Sequence, residues 1–371
     1  MRNGWKVAAS ALGLIVAAGA APALSSVNDA SQNLSLREKA GQLVMFAPRG
    51  AYLSSTEKDL IRRNHLGGVI IFSGNYQNRS QLETLTRQIQ RAARSGNQFK
   101  IGALISVDQE GGIVKRFPDM PPDYSAPEIG AAEGTWLAWD QGRDTGRALH
   151  SAGVNVDLAP VADLDLPPNH VMRSRSFGSR PQRVGRLVRS FSRGLQGQRT
   201  AATAKHFPGL GGATRNSDDG RAQVYRTRWE LHHVDVVPFR TAIAGGIKLI
   251  MLSHALYPND GGSRPASLNH YIATERLRRQ LGFEGVAISD ALNAVAWRFG
   301  GSTARACRAT IKAGVDIALI TGDAYAARDC AEEIVRGVNS GSISLRRLDQ
   351  AVTRVLELKE WLGRFNPGAA G

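Results

Sequence analysis

The chain has 371 residues, 42% of them hydrophobic and 21% charged, a balance that supplies a large core and excludes a chain disordered along most of its length. A formal net charge of +15, carried by 47 Lys and Arg against 32 Asp and Glu, is scattered along the chain and accompanied by no nucleic-acid-binding motif. Nucleic acid is therefore set aside as a partner, and a solvated basic surface or attraction to an anionic cell wall remains.

The first residues are the most legible. Arg2 and Lys6 precede an apolar run from Val7 to Ala21 and the small-residue tripeptide Ala21-Pro22-Ala23, the three parts of a secretory signal peptide over residues 1–23. The run is shorter than the roughly 20 residues that cross a bilayer, an uncleaved anchor is the alternative, and no later segment has the length and apolarity of a span. The expectation is a secreted or wall-associated protein with no stable membrane span after signal cleavage. In that oxidising setting Cys307 and Cys330 are free to pair or not, and two cysteines without clustered histidines give no metal site.

After a lead-in over residues 24–33, short β-branched runs recur with helical stretches between them. The runs are Gln42–Phe46, Gly68–Phe72, Ala103–Val107, Val154–Leu158, Ala201–Ala204, Leu249–Leu252, Val286–Ile288 and Ile317–Ile320. The helical patterns include Gln81–Ala93, Trp136–Ala152, Arg183–Gly194, Val237–Ala244, Thr274–Leu281, Thr303–Ala313 and Ala324–Val338, with a closing helix at about Leu345–Leu362. Eight βα units predict an α/β fold of the (β/α)8 TIM-barrel type, one domain over residues 34–363, followed by a flexible tail over 364–371. An open doubly wound sheet would carry a glycine-rich phosphate loop after its first strand, and none follows Gln42–Phe46.

A barrel enzyme places its chemistry beyond the C-terminal ends of its strands. The residues just past those ends are Asn75, Asp108 with Glu110, Asp163, Lys205 with His206, Ser253 with His254, Ser289 with Asp290, and Asp323. Polar and ionisable groups thus recur at the face where a site is needed.

Ordered motifs run through most of this barrel: Leu36-Arg37-Glu38-Lys39-Ala40-Gly41-Gln42-Leu43, Gly67–Phe72 with Asn75, and Asp108-Gln109-Glu110-Gly111-Gly112 through Arg116. Ala159-Pro160-Val161-Ala162-Asp163, Arg175-Ser176-Phe177-Gly178 and Lys205-His206-Phe207-Pro208-Gly209 follow, then Ser253-His254, Pro265-Ala266-Ser267-Leu268 and Ser289-Asp290-Ala291-Leu292. On these residues the chain resembles glycoside hydrolase family 3, and within it the single-domain β-N-acetylhexosaminidases. The resemblance implies a retaining, exo-acting glycosidase that removes terminal β-linked N-acetylglucosamine from wall or chitin-type oligosaccharides and needs no cofactor. It implies Asp290 as the nucleophile that attacks the anomeric carbon, and Lys205 and His206 as a clamp donating to ring hydroxyls or a 2-acetamido group. Asp108 matches the acceptor of distal hydroxyls, and Arg116 and Arg175 match further substrate contacts. Ser253 and His254 read as site lining, without the surroundings of a serine-hydrolase elbow, and Glu110 inside Gln-Glu-Gly-Gly reads as shaping its loop.

The sequence departs from that branch where the acid/base belongs. The branch has Lys-His-Phe-Pro-Gly-His-Gly, four variable residues, and then Asp-Ser-His on the loop after the fifth strand. Here Leu210 replaces the first His, Asn216 the Asp, and Asp218 the catalytic His. Asp218, with Asp219 beside it, is the candidate acid, since adjacent carboxylates can hold one proton between them. The other reading makes Asn216 to Gly220 a polar turn and the protein a weakly catalytic or non-catalytic carbohydrate-binding relative. Within the enzyme class, β-glucosidase or β-xylosidase specificity is the alternative.

Overall fold

A computed structural model describes Met1, residues 27–216 and residues 220–365; the signal peptide and Asp218 expected from the sequence lie outside the described residues. Eight strands form the central sheet: β1 (Val44–Phe46), β2 (Gly68–Ile71), β3 (Leu104–Val107), β4 (Val156–Asp157), β5 (Ala201–Phe207), β6 (Leu249–Leu252), β7 (Val286–Ser289) and β8 (Ala318–Leu319). They pair in parallel in chain order, and β8 returns to β1 through the Val44 and Ala318 register. The last seam closes by a bridge between Ile288 and Ile317, with the Ser289 amide donating to the Ile317 carbonyl at 3.0 Å. The expected barrel is therefore present. Every residue of these strands is buried, because side chains fill the barrel on one face and meet helices on the other, which is why the strands read as continuous apolar runs.

Strand boundaries differ from the expectation for local reasons. Gln42 ends the helix Leu36–Gln42 and spends its side-chain amide on the His65 carbonyl at 2.8 Å. Val154 still donates to Leu149, the last full turn of the preceding helix, so β4 begins later. β5 runs on through Lys205, His206 and Phe207, which puts the clamp residues on a strand rather than in a loop.

The helices start where their sequences dictate. Ser35 with Glu38, Ser54 with Glu57, Ser125 with Glu128 and Thr227 with Glu230 each form a capping box, satisfying amides that have no partner inside the helix. The helix Leu36–Gln42 meets the entrance of β2 backbone to backbone. A Cβ on Gly41 would lie 2.0 Å from the Asn64 carbonyl oxygen, and one on Gly67 would lie 2.1 Å from that of Gln42, so both positions require glycine.

The lead-in segment contains a helix, Val27–Asn33, whose Val27 and Ala30 are buried in the core and whose Ser31 hydroxyl lies 3.2 Å from that of Thr353 on the closing helix. At the other end Arg364 and Phe365, placed by the sequence in the flexible tail, are held: Gly102 donates to the Arg364 carbonyl at 2.8 Å and Phe365 is buried. Cys307 and Cys330 form a disulfide with Cα atoms 5.7 Å apart, joining the helices Thr303–Ala313 and Ala324–Asn339 on either side of β8. Among the described residues no helix is long and apolar enough to cross a membrane.

Candidate active site

A cavity of about 240 Å³ opens at the C-terminal ends of the strands, lined by Asp108, Glu110, Arg116, Arg175, Lys205, His206 and Asp290 with Phe72, Leu158 and Met251 among its apolar walls. The Lys205 ammonium sits between two carboxylates, donating to Asp108 Oδ1 at 2.6 Å and lying 2.7 Å from Glu110 Oε1. Arg175 grips Glu110 with a fork, Nε to Oε2 at 2.8 Å and Nη2 to Oε1 at 2.7 Å. Arg116 lies over the Phe72 ring with Nη2 3.9 Å from Asp108 Oδ2. Burial would push the Glu110 carboxyl up, but Lys205 and Arg175 overcome it and hold the group down at about 2. The same balance works on Lys205, where burial disfavours the ammonium and Asp108 with Glu110 raise its pKa above the ordinary value. Both members of this buried network stay charged through the physiological range.

His206 is fixed by Asp163. One carboxylate oxygen, Oδ2, accepts from the His206 amide at 3.0 Å and lies 2.7 Å from Nδ1, while Oδ1 accepts from the Leu210 amide at 2.7 Å. Because a carboxylate only accepts, a ring proton belongs on Nδ1 and the orientation of the imidazole is set. Asp163 thus pins the strand end and the start of the following loop with one side chain. Gly211 completes that turn, since a Cβ there would lie 2.0 Å from the Leu164 carbonyl oxygen.

Asp290 follows β7 and is partly exposed, to the cavity. Burial alone would raise its pKa; His254, His206, the Ala291 amide at 2.7 Å and Lys205 together hold it below the ordinary value. His254 stands beside it, with Nδ1 2.7 Å from Ser267 Oγ and Nε2 2.9 Å from the Ala291 carbonyl. Below the cavity lies Asp157 of β4, wholly buried, its Oδ1 accepting from the Gln109 amide at 3.1 Å. Its Oδ2 has no hydrogen-bond partner among the described residues, and burial pushes the carboxyl well above its ordinary range.

The structure thus brings Asp108, Arg116, Arg175, Lys205, His206 and Asp290 to one cavity, with His254 just behind Asp290. Ser253 is not among them. It is fully buried, its hydroxyl accepts from the Ala255 amide at 2.9 Å, and it does not line the cavity. Glu110, read from the sequence as a loop-shaping residue, lines the cavity as the counter-ion of two cations. Asp163 stands among the strand-end residues and Ser267 inside a motif, but nothing local in the sequence pairs them with His206 and His254, and a strand-interior Asp such as Asp157 gives no signal until its burial is known.

The N-terminal-domain profile of glycosyl hydrolase family 3 matches residues 35–358. The chain belongs to glycoside hydrolase family 3. It is 32% identical over 354 residues to an uncharacterized secreted glycosyl hydrolase of Arthroderma benhamiae, covering 94% of this chain and 97% of that one. It is 35% identical over 284 residues to a beta-hexosaminidase of Alkalilimnicola ehrlichii, covering 75% and 80%. Among solved structures, a family 3 beta-N-acetylglucosaminidase from a Paenibacillus species superposes with a TM-score of 0.83 at 34% identity, covering 89% of this chain but 63% of that one. The chain spans under two thirds of that larger protein. As a member of the family the protein is a glycoside hydrolase.

Proposed function

We propose that the protein is an exported, retaining, exo-acting glycosidase that removes terminal β-linked N-acetylglucosamine from cell-wall or chitin-type oligosaccharides. The observation that carries this reading is the Asp290 carboxylate, held ionised in the same cavity as Lys205 and His206. A cavity of about 240 Å³ suits one pyranose ring rather than a run of them, which favours action at chain ends. In the first step Asp290 attacks the anomeric carbon as the glycosidic oxygen leaves with a proton from the acid; in the second, water deprotonated by the same group displaces the carboxylate.

The neighbours fit parts in that scheme. Lys205 and the fixed imidazole of His206 donate to ring hydroxyls or the acetamido oxygen, Asp108 accepts from hydroxyls, and Arg116 presents a guanidinium to the same space. Arg175 has two of its nitrogens on Glu110, so its larger contribution is to hold that carboxylate, and through it Lys205. His254 supports Asp290 through Ala291 and by its positive potential when protonated. Asp218, which follows β5 in the sequence, is proposed as the acid/base.

A second reading, a weakly catalytic carbohydrate binder, draws on Leu210. Its side chain is buried against the core where the hexosaminidase branch has a histidine. Purified protein assayed on an activated aryl β-N-acetylglucosaminide and on a natural β-linked disaccharide separates the two. Turnover of both, lost by about 10³-fold or more in Asp290→Asn, supports the proposal. Turnover of the aryl substrate alone means that the acid is missing, and turnover of neither favours binding only. Preference for glucose or xylose across a panel of aryl glycosides would replace the acetamido sugar.

A further inference from the structure

Away from the cavity, positive charge collects in a groove on the outer wall of the barrel, between the helices Tyr271–Gln280 and Thr303–Ala313. Its upper part, about 300 Å³, is bounded by Arg264 and Arg298 from the segments that follow β6 and β7. Its lower part, about 430 Å³, is bounded by Arg278, Arg346, Arg347 and Arg354. His270 and Lys312 line both parts, so the two adjoin as one groove. It starts at the barrel end that carries Asp290.

Acidic groups do not balance this channel. No Asp or Glu lines either part. Behind it, the single carboxylate of Asp316 accepts from three guanidiniums, Arg278, Arg347 at 2.9 Å and Arg354 at 3.2 Å. Arg279 is paired with Glu275 at 3.0 Å, and Glu284, Asp349 and Glu357 border a neighbouring depression that shares Arg346 and Arg354. Arg264, Arg298, Lys312 and Arg346 make no side-chain ion pair within 4.0 Å among the described residues. Arg278 Nε and Arg347 Nη1 are buried donors without an acceptor among the described residues. Packing like charges together with unused donors costs stability unless an anion is supplied.

We infer that this groove binds a linear anionic glycan, carrying carboxylate or phosphate groups along its length, and holds the enzyme on the polymer while the cavity acts on chain ends. Guanidinium forks match both groups bidentately. A nucleic acid fits less well, because single strands are held by successive aromatic platforms and Phe299 is the one Phe, Tyr or Trp among the described residues lining the groove. The choice of a glycan rests on the glycosidase reading above; the capture of a polyanion does not.

The test measures binding of long-chain polyphosphate, polygalacturonate and single-stranded DNA to the full mature protein by fluorescence anisotropy, at low and at physiological salt. Expected is binding of polygalacturonate, polyphosphate or both that weakens with salt. In Arg264→Glu/Lys312→Glu/Arg346→Glu, three exposed positions, it should weaken by at least about tenfold. The same charge change at the exposed Arg91, Arg186 and Arg193, on other helices, should leave it within about twofold. Hydrolysis of an aryl glycoside should be unchanged in both variants, so a failed tether and a failed glycosidase assignment are read separately. Equal loss in both triple variants would reduce the effect to net charge and overturn the groove; tighter binding of DNA than of both other polymers would overturn the glycan.

Discussion

At Glu110 two cations share one buried carboxylate. Lys205 and Arg175 lie within 2.7–2.8 Å of it, and its side chain is 3% exposed. Removing one member of a buried pair leaves the others uncompensated, at about 3–5 kcal/mol. Glu110→Gln is therefore expected to lower the unfolding free energy by that order in chemical denaturation, and to lose activity with it because Arg175 loses its carboxylate and Lys205 keeps only Asp108 as counter-ion. The pH dependence has a definite sign. A carboxyl held down at about 2 contributes stability that is complete above its ordinary 4.5 and is lost as pH falls through the folded value. Wild-type stability should fall between about pH 4.5 and 2 in part through this group, and Glu110→Gln should lack that part of the slope. An unchanged acid limb in the variant would place the coupling elsewhere. The motif Gln-Glu-Gly-Gly was plain in the sequence, but not the role of its Glu, because Arg175 is 65 residues away and the two meet only once β3 and the segment after β4 are side by side.

At the scale of elements, the strands and their helices followed from local pattern, whereas their lateral fastenings did not. Cys307 and Cys330 belong to two helices that the sequence outlines well, and whether they bond depends on the facing of those helices across β8. They do, with 23 residues of separation. Closing a loop of that length removes denatured-state entropy worth about 3 kcal/mol. The double variant Cys307→Ser/Cys330→Ser is expected to shift the urea midpoint down by the equivalent, with the wild type in reductant falling to the same curve. Equal midpoints for the two proteins under oxidising conditions would show that the bond adds nothing to stability. The β5 loop behaves differently. Leu210 is buried and its amide is tied to Asp163, so the root of the loop is as firmly placed as the strand before it, and the departure from the hexosaminidase pattern at this position alters packing as well as chemistry.

Over the whole molecule the closing helix returns to the helix Leu36–Gln42 that leads into β1. Lys359, fully buried, donates to Gln42 Oε1 at 2.6 Å across 317 residues of sequence, and burial alone pushes its pKa down to about 7. Between pH 7 and its ordinary 10.5 the unfolded chain binds a proton here that the folded chain does not, so this group makes stability rise with pH across that window. Lys359→Met, close in volume, should raise the melting temperature more at pH 6 than at pH 10. A gain of equal size at both would show that the ammonium is not penalised in the fold.

Local pattern along the chain sets the order of eight βα units, the caps that begin the helices, and the polar residues placed at the strand ends, Asp290 and Lys205 with His206 among them. These depend on neighbours a few residues apart, through periodicity, backbone conformation and turn chemistry. The tertiary structure alone decided which of those residues share a cavity. Ser253 accepts from the Ala255 amide while His254, next to it, reaches toward Asp290; Asp108 meets Lys205 from 97 residues away; and basic side chains from five separate segments line one groove. Burial, charge pairing and pKa are properties of distances in space, and those are set only when the barrel closes.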